Sequence, residues 1–114
     1  MIGQFIALLF WLGVMHALCD SALQPPHLSK MKYRRNPEGA GGQWVLGLTS
    51  HALIHAGGVA LVTGNVVLGM LEFMAHWAID AGKGEGAYGC MADQALHGMC
   101  KVLWAGAAIA LMAR

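Results

Sequence analysis

Charge is what this chain has least of. Its 114 residues include 7 Lys or Arg and 6 Asp or Glu, so 11% are charged against 57% hydrophobic. With a mean hydropathy of +0.53, there are too few charges to solvate a globular surface of ordinary composition, and the expected solvent is lipid. No excess of either sign is present. A net charge of +1 gives no electrostatic footprint for nucleic acid, and no nucleic-acid partner is expected. Cysteine pairing is missing too. Cys19, Cys90 and Cys100 are odd in number and form no Cys-x-x-Cys motif, which argues against a disulfide framework or a thiolate-bound structural zinc and for free thiols. The chain also lacks a basic residue ahead of its first apolar run and a small-x-small motif after it, as a cleaved signal peptide would require. It contains no internal repeat.

What is present is long and apolar. Ile2 to Cys19 is interrupted only by Gln4 and His16 and makes about 27 Å of helix, close to a hydrocarbon core of about 30 Å. A polar segment over 21–43 follows, with Pro25, Pro26, a basic group at Lys30, Lys32, Arg34 and Arg35, and glycines at 39, 41 and 42. It reads as a loop with one surface turn of helix. Further helices are expected over about 44–63, 66–81 and 92–112, with a second loop at 82–91. Trp44 suits an interfacial anchor, and Gly57–Gly58 marks a place for a bend after His55. Ala56/Ala60 and Gly106/Ala110 are small-residue spacings suited to close packing. The expected fold is all-α, a single membrane domain of four transmembrane helices with no soluble appendage.

Against that apolar background the polar residues are ordered. His16/Asp20, His51/His55, Glu72/His76/Asp80 and Asp93/His97 each recur at four-residue spacing. That spacing stacks side chains on one helix face about 6 Å apart, within reach of a single ion. With four spans, all four sets fall near the ends that carry the two loops. Asp20, Asp80 and Asp93 lie at one depth, His16, His76 and His97 about 6 Å deeper, and Glu72 with Lys101 about 12 Å deep, where the two can pair. The loops carry Lys30, Lys32, Arg34, Arg35 and Lys83, so the positive-inside rule puts them in the cytoplasm and both termini outside it. Cys19 and Cys90 then face a reducing compartment.

Carboxylates inside a bilayer are costly and mark functional sites. Asp20, Glu72, Asp80 and Asp93 sum to minus four when ionised, a charge that two divalent cations neutralise, and the donor count suits one or two ions. Mixed histidine and carboxylate donors suit a transition metal, with zinc the first choice. The ligand candidates are His16, Asp20, His51, His55, His76, Asp80, Asp93 and His97. Glu72, the deepest, is a candidate catalytic general base or the partner of Lys101. The plainer alternative is that these pairs hydrogen-bond across the bundle and only hold it together. His27, in the loop, reads as solvated, the tryptophans and methionines as lipid contact and core.

The ordered set His16-x-x-x-Asp20-x-x-x-Gln24, His51-Ala-Leu-Ile-His55, Glu72-Phe-x-x-His76-x-x-Ile-Asp80-x-x-Lys83 and Asp93-Gln-x-x-His97 resembles the domain of unknown function 3307 family, small integral membrane proteins of bacteria and their phages. The resemblance covers nearly the whole chain except Gly39 to Gly42. It implies the membrane bundle and the polar site, and no particular activity. More loosely, the pattern is similar to membrane-bound metal-dependent hydrolases. The leading expectation is therefore a metal-dependent hydrolase acting on a lipid or lipid-like substrate at the cytoplasmic face. The alternatives are a metal or proton carrier, and a non-catalytic phage or bacterial accessory whose polar site is structural. Membrane lipid is the expected partner, and so small a bundle is compatible with a homo-oligomer.

Overall fold

A computed structural model describes all 114 residues, and it is entirely helical, 47 Å long and 23 by 22 Å across. Four long helices, α1 (Ile2–Asp20), α3 (Gln43–Thr63), α4 (Val66–Gly84) and α5 (Cys90–Met112), form the bundle. A short helix α2 (Pro26–Met31) and a 3-10 segment (Pro37–Gly42) lie in the connection between α1 and α3. α3 packs on α1 and α4, and α5 closes the square by packing on α4 and α1. α1 and α4 are thus diagonal.

Local chemistry sets the boundaries. Pro26 occupies the first turn of α2, where its missing N–H costs nothing and its fixed φ suits the helix. α3 ends at Gly64, whose φ of 66° belongs to the left-handed region that glycine adopts without a Cβ penalty. Asn65 then caps α4, its side chain accepting a hydrogen bond from the Leu68 N–H at 3.1 Å. Two residues therefore suffice to turn α3 into an antiparallel α4. Asn65→Ala is expected to cost about 1 kcal/mol, the usual value of a lost N-cap, readable as a lower midpoint of unfolding in detergent.

Three differences from the sequence reading have physical causes. α3 runs through Gly57 and Gly58 without a break, because Gly58 is buried beneath the Met15 side chain of α1 and serves as a contact point, not a hinge. α4 continues past residue 81 to Gly84, and α5 begins at Cys90; the glycines there are covered by Tyr88 over Gly82 and Tyr33 over Gly84. Of the small-residue spacings, Ala56 and Ala60 do receive a close neighbour, Gly69 of α4. Gly106 and Ala110 face outward, and Ala105 and Ala108 fill the interior instead.

Burial is inverted relative to a water-soluble bundle. Among the 23 buried residues, nine are apolar core and ten are polar or charged, while Ile6, Phe10, Leu61, Met70 and Leu103 are each at least 60% exposed. That is the distribution of a membrane protein, with apolar side chains outward and the polar ones enclosed. Three helical stretches are long and apolar enough to cross a membrane: Ile2–Asp20, Pro37–Thr63 and Cys90–Met112. α4 is not among them, because Glu72, His76, Asp80 and Lys83 lower its hydropathy.

The two connections meet at one end of the bundle. Arg34 donates to both carboxylate oxygens of Glu85 at 2.9 and 2.8 Å, tying the first connection to the second. Those hydrogen bonds hold the Glu85 carboxyl below the ordinary glutamate range. A glutamate with a lowered pKa contributes its tie above the ordinary value and loses it as pH falls through the lowered one. At the opposite end Leu12, Val59, Leu68, Ala105 and Ala108 form an apolar cluster, with Phe5, Leu8, Leu9 and Val62 packed around it.

Candidate metal centre

The i, i+4 pairs converge as their spacing requires. From α1 come His16 and Asp20, from α3 His51 and His55, from α4 Glu72, His76 and Asp80, and from α5 Asp93 and His97. Each helix turns its polar stripe inward because the square leaves it one interior face. All five imidazoles form one contiguous group. His55 stacks on His76 with ring centroids 3.7 Å apart, His76 lies 4.2 Å from His97, His51 is 4.6 Å from His55, and His16 is 4.9 Å from His55.

Three sets of donor atoms lie within 4.8 Å of one another: Asp20, His51, His55 and His76; His16, His76 and His97; and Asp80, Asp93 and His97. All eight ligand candidates are thus brought together. Glu72, the ninth, belongs to none of the sets.

Two separations within the first set are close to the edge length of a four-coordinate ion. Metal–nitrogen bonds of about 2.0–2.1 Å make the edge of a tetrahedron about 3.3 Å. Asp20 Oδ1 is 2.9 Å from His55 Nε2 and 3.4 Å from His51 Nε2. On its other oxygen, Asp20 lies 3.1 Å from His16 Nε2. That contact lacks hydrogen-bond geometry: both ring nitrogens of His16 and His51, and Nε2 of His76, are buried without a hydrogen-bond partner. Leaving a buried polar group unpaired costs about 1–3 kcal/mol. Several gathered on one point could hold a cation.

The tautomer of His76 supports the same conclusion. Its Nδ1 lies 3.1 Å from Glu72 Oε1, a carboxylate oxygen that accepts, so Nδ1 carries the proton and Nε2 presents a lone pair to the centre. Glu72 is itself held: Lys101 Nζ donates to Oε1 at 2.6 Å and Trp104 Nε1 to Oε2 at 2.6 Å. The residue is fully buried and both its oxygens are engaged. Its position is that of a carboxylate orienting a ligand histidine, and the pairing with Lys101 expected from depth is present.

Lysines change the charge count. Lys32 Nζ lies 2.8 Å from Asp80 Oδ2, Lys83 Nζ 3.2 Å from Asp93 Oδ2, and Lys101 Nζ 2.6 Å from Glu72 Oε1. Four carboxylates and three ammoniums leave −4 + 3 = −1, not minus four. Asp20 is the one carboxylate without a lysine, and it faces three imidazoles.

Lys32, Lys83 and Trp104 are the participants that sequence reasoning assigned elsewhere, to topology and lipid contact. Lys32 comes from the polar connection, which folds over the mouth of the site: its backbone fits against α3 because Gly47 has no Cβ, which would stand 2.9 Å from the Lys32 nitrogen. The available signal for Lys83 was its spacing, three residues after Asp80. Nothing local distinguishes Lys32 from Lys30, whose ammonium stays exposed. His27 is exposed, as read.

A polar cavity of about 270 Å³ opens onto the site from the loop end, lined by Asp20, Gln24, Lys32, Asp80, Lys83 and Asp93 among others. A larger apolar groove, about 550 Å³, runs outside α1 and touches none of the site residues. No family model, no curated protein and no solved structure matches this chain.

Proposed function

We propose that the chain is a membrane-embedded metalloprotein with four spans, in which Asp20, His51, His55 and His76 hold one divalent transition-metal ion, zinc by preference. The observation that carries this reading is the group of buried imidazole nitrogens without a hydrogen-bond partner, on His16, His51 and His76 of three helices, gathered about Asp20, the carboxylate that no lysine neutralises. α4 spans as part of the closed square, its charges turned inward. The loops carry the basic residues, which supports a cytoplasmic mouth, and the family resemblance implies a bacterial inner membrane.

The activity we assign is hydrolysis of a lipid or lipid-like ester, phosphoester or amide at that face. A bound ion of this kind brings the pKa of its water to about 7 and polarises the scissile group. The chain's own contribution is positional. Glu72 fixes the His76 ring, the cavity beside Asp20, Asp80 and Asp93 suits a polar headgroup, and the apolar exterior supports a mouth at the lipid surface. The resemblance in motif order to the domain of unknown function 3307 family supports the bundle and the site and is part of this proposal. Transport is less well supported, because the apolar cluster around Leu12, Val59 and Leu68 closes the far half of the monomer.

Elemental mass spectrometry of detergent-purified protein tests the reading. One transition-metal ion per chain is expected, with release of product from bacterial lipid vesicles that stops on chelation and returns on adding zinc. Protein that holds no metal after reconstitution sinks the proposal. Metal without lipid turnover retains the site and removes the hydrolase. Glu72→Gln is expected to weaken metal affinity by about 10–100-fold, the usual effect of losing a carboxylate behind a ligand histidine, measured by competition with a chelating dye.

A further inference from the structure

The set Asp80, Asp93 and His97 lies beside the proposed ion site and has the donors of a second one, but its electrostatics differ. Asp80 spans the two: its Oδ1 lies 3.1 Å from His97 Nε2, and its Oδ2 lies 3.5 Å from His51 Nε2 and 3.7 Å from His76 Nε2. A carboxylate so placed could bridge two cations. Asp93 Oδ1 is buried without a hydrogen-bond partner, 3.4 Å from His97 Nε2, and the residue is only 2% exposed. That oxygen asks for a cation or a donor.

The cations present are the protein's own. Lys32 reaches Asp80 Oδ2 and Lys83 reaches Asp93 Oδ2, so each carboxylate of this set has one oxygen on an ammonium. With one divalent ion at Asp20 the whole cluster passes from −1 to +1, and a second ion would bring it to +3 in a largely enclosed space. Repulsion between unscreened like charges makes that last step unfavourable.

We propose that Lys32 and Lys83 take the place of a second metal ion, making Asp80, Asp93 and His97 a cation site occupied by lysine and limiting the centre to a single metal. This inference rests on the metal reading above. In it, Lys32 and Lys83 are specificity-determining residues for metal count, and the α1–α3 connection, which carries Lys32, is a functional part of the centre. Lys83 is 29% exposed and Lys32 8% exposed at the side chain, both facing the polar cavity, where an anionic headgroup would meet two ammoniums beside the bound ion.

Metal stoichiometry under zinc titration, read by elemental mass spectrometry after desalting, decides the matter. The wild-type protein is expected to retain one ion per chain, Lys32→Met/Lys83→Met two, and Lys32→Arg/Lys83→Arg one. Adding Asp93→Asn to the double Met variant is expected to return the count to one. If the double Met variant does not fold, Lys83→Met alone is the milder removal and is expected to take up more than one equivalent. A folded Met variant that still binds one ion overturns the inference and leaves the metal reading standing. Two ions in the wild type also overturn it, since metal would then displace lysine. No ion in the wild type overturns the metal reading itself, and this inference with it.

Discussion

Lys101→Met is expected to destabilise the protein by about 3–5 kcal/mol, the cost of breaking one side of a buried ion pair. The physical basis is burial on both sides. Glu72 and Lys101 side chains are 1% and 6% exposed, and the 2.6 Å contact between them is deep in the bundle. Without the ammonium, Glu72 keeps the Trp104 and His76 donors but holds a full negative charge where water cannot reach it. The double variant Glu72→Gln/Lys101→Met removes both charges, and it is expected to recover a large part of the loss, since a buried pair replaced together is close to neutral. Equilibrium unfolding in detergent, with both single variants and the double variant in one cycle, reads the coupling. A loss in the double variant equal to the sum of the two single losses would show that the two residues act only as separate packing elements.

His51→Leu is expected to abolish metal binding while leaving the metal-free protein as stable as metal-free wild type, or more stable. His51 is fully buried, and neither of its ring nitrogens has a hydrogen-bond partner. Each unsatisfied buried group costs about 1–3 kcal/mol, which an apolar side chain of similar volume does not incur. With metal at 100 times its dissociation constant, wild type should gain about 2.7 kcal/mol from the ion. Thermal unfolding should therefore show wild type gaining stability from zinc and the variant gaining none, with the variant no less stable than wild type in chelator. A structural role gives the opposite pattern. If the histidine cluster is glue, His51→Leu loses stability in chelator, and zinc changes neither protein.

The two results bear on different parts of the molecule. Lys101 and Glu72 form the deep support of the site, and His51 belongs to the set of donors that could hold an ion. A protein that failed the second test and passed the first would still have a buried polar network that specifies helix packing. It would not have a reason for three imidazoles to face Asp20.

How much of this was legible beforehand depends on the range of each interaction. The interior faces of four helices could be read from four-residue spacing alone, because side chains at i and i+4 share a face wherever the helix sits. The turn at Gly64 and Asn65 could be read for the same reason, since its chemistry is local. Even the Lys101–Glu72 pair followed from counting helix rise from the loop ends. The connection over 21–43 was the part that local rules misjudged. Its prolines, glycines and basic residues describe a solvated loop, and α2 and the 3-10 segment are short enough to satisfy that description. Trp104 gives no sequence sign that its N–H is aimed at a carboxylate on another helix.

By itself the sequence determined that the chain is helical, that its outside is apolar, and that each long helix carries histidines or carboxylates on a single face. Those properties follow from composition and a 3.6-residue period, which act within a few turns of chain. Only the tertiary structure decided which charge meets which. The Lys32–Asp80 contact joins residues 48 apart and the Lys101–Glu72 contact residues 29 apart. Both depend on how the helices close into a square and how the first connection folds back over its mouth. That packing leaves three of four carboxylates paired with lysine and Asp20 alone with imidazoles, because the position of a long, flexible ammonium is set by the cavity that receives it and not by its neighbours in the chain.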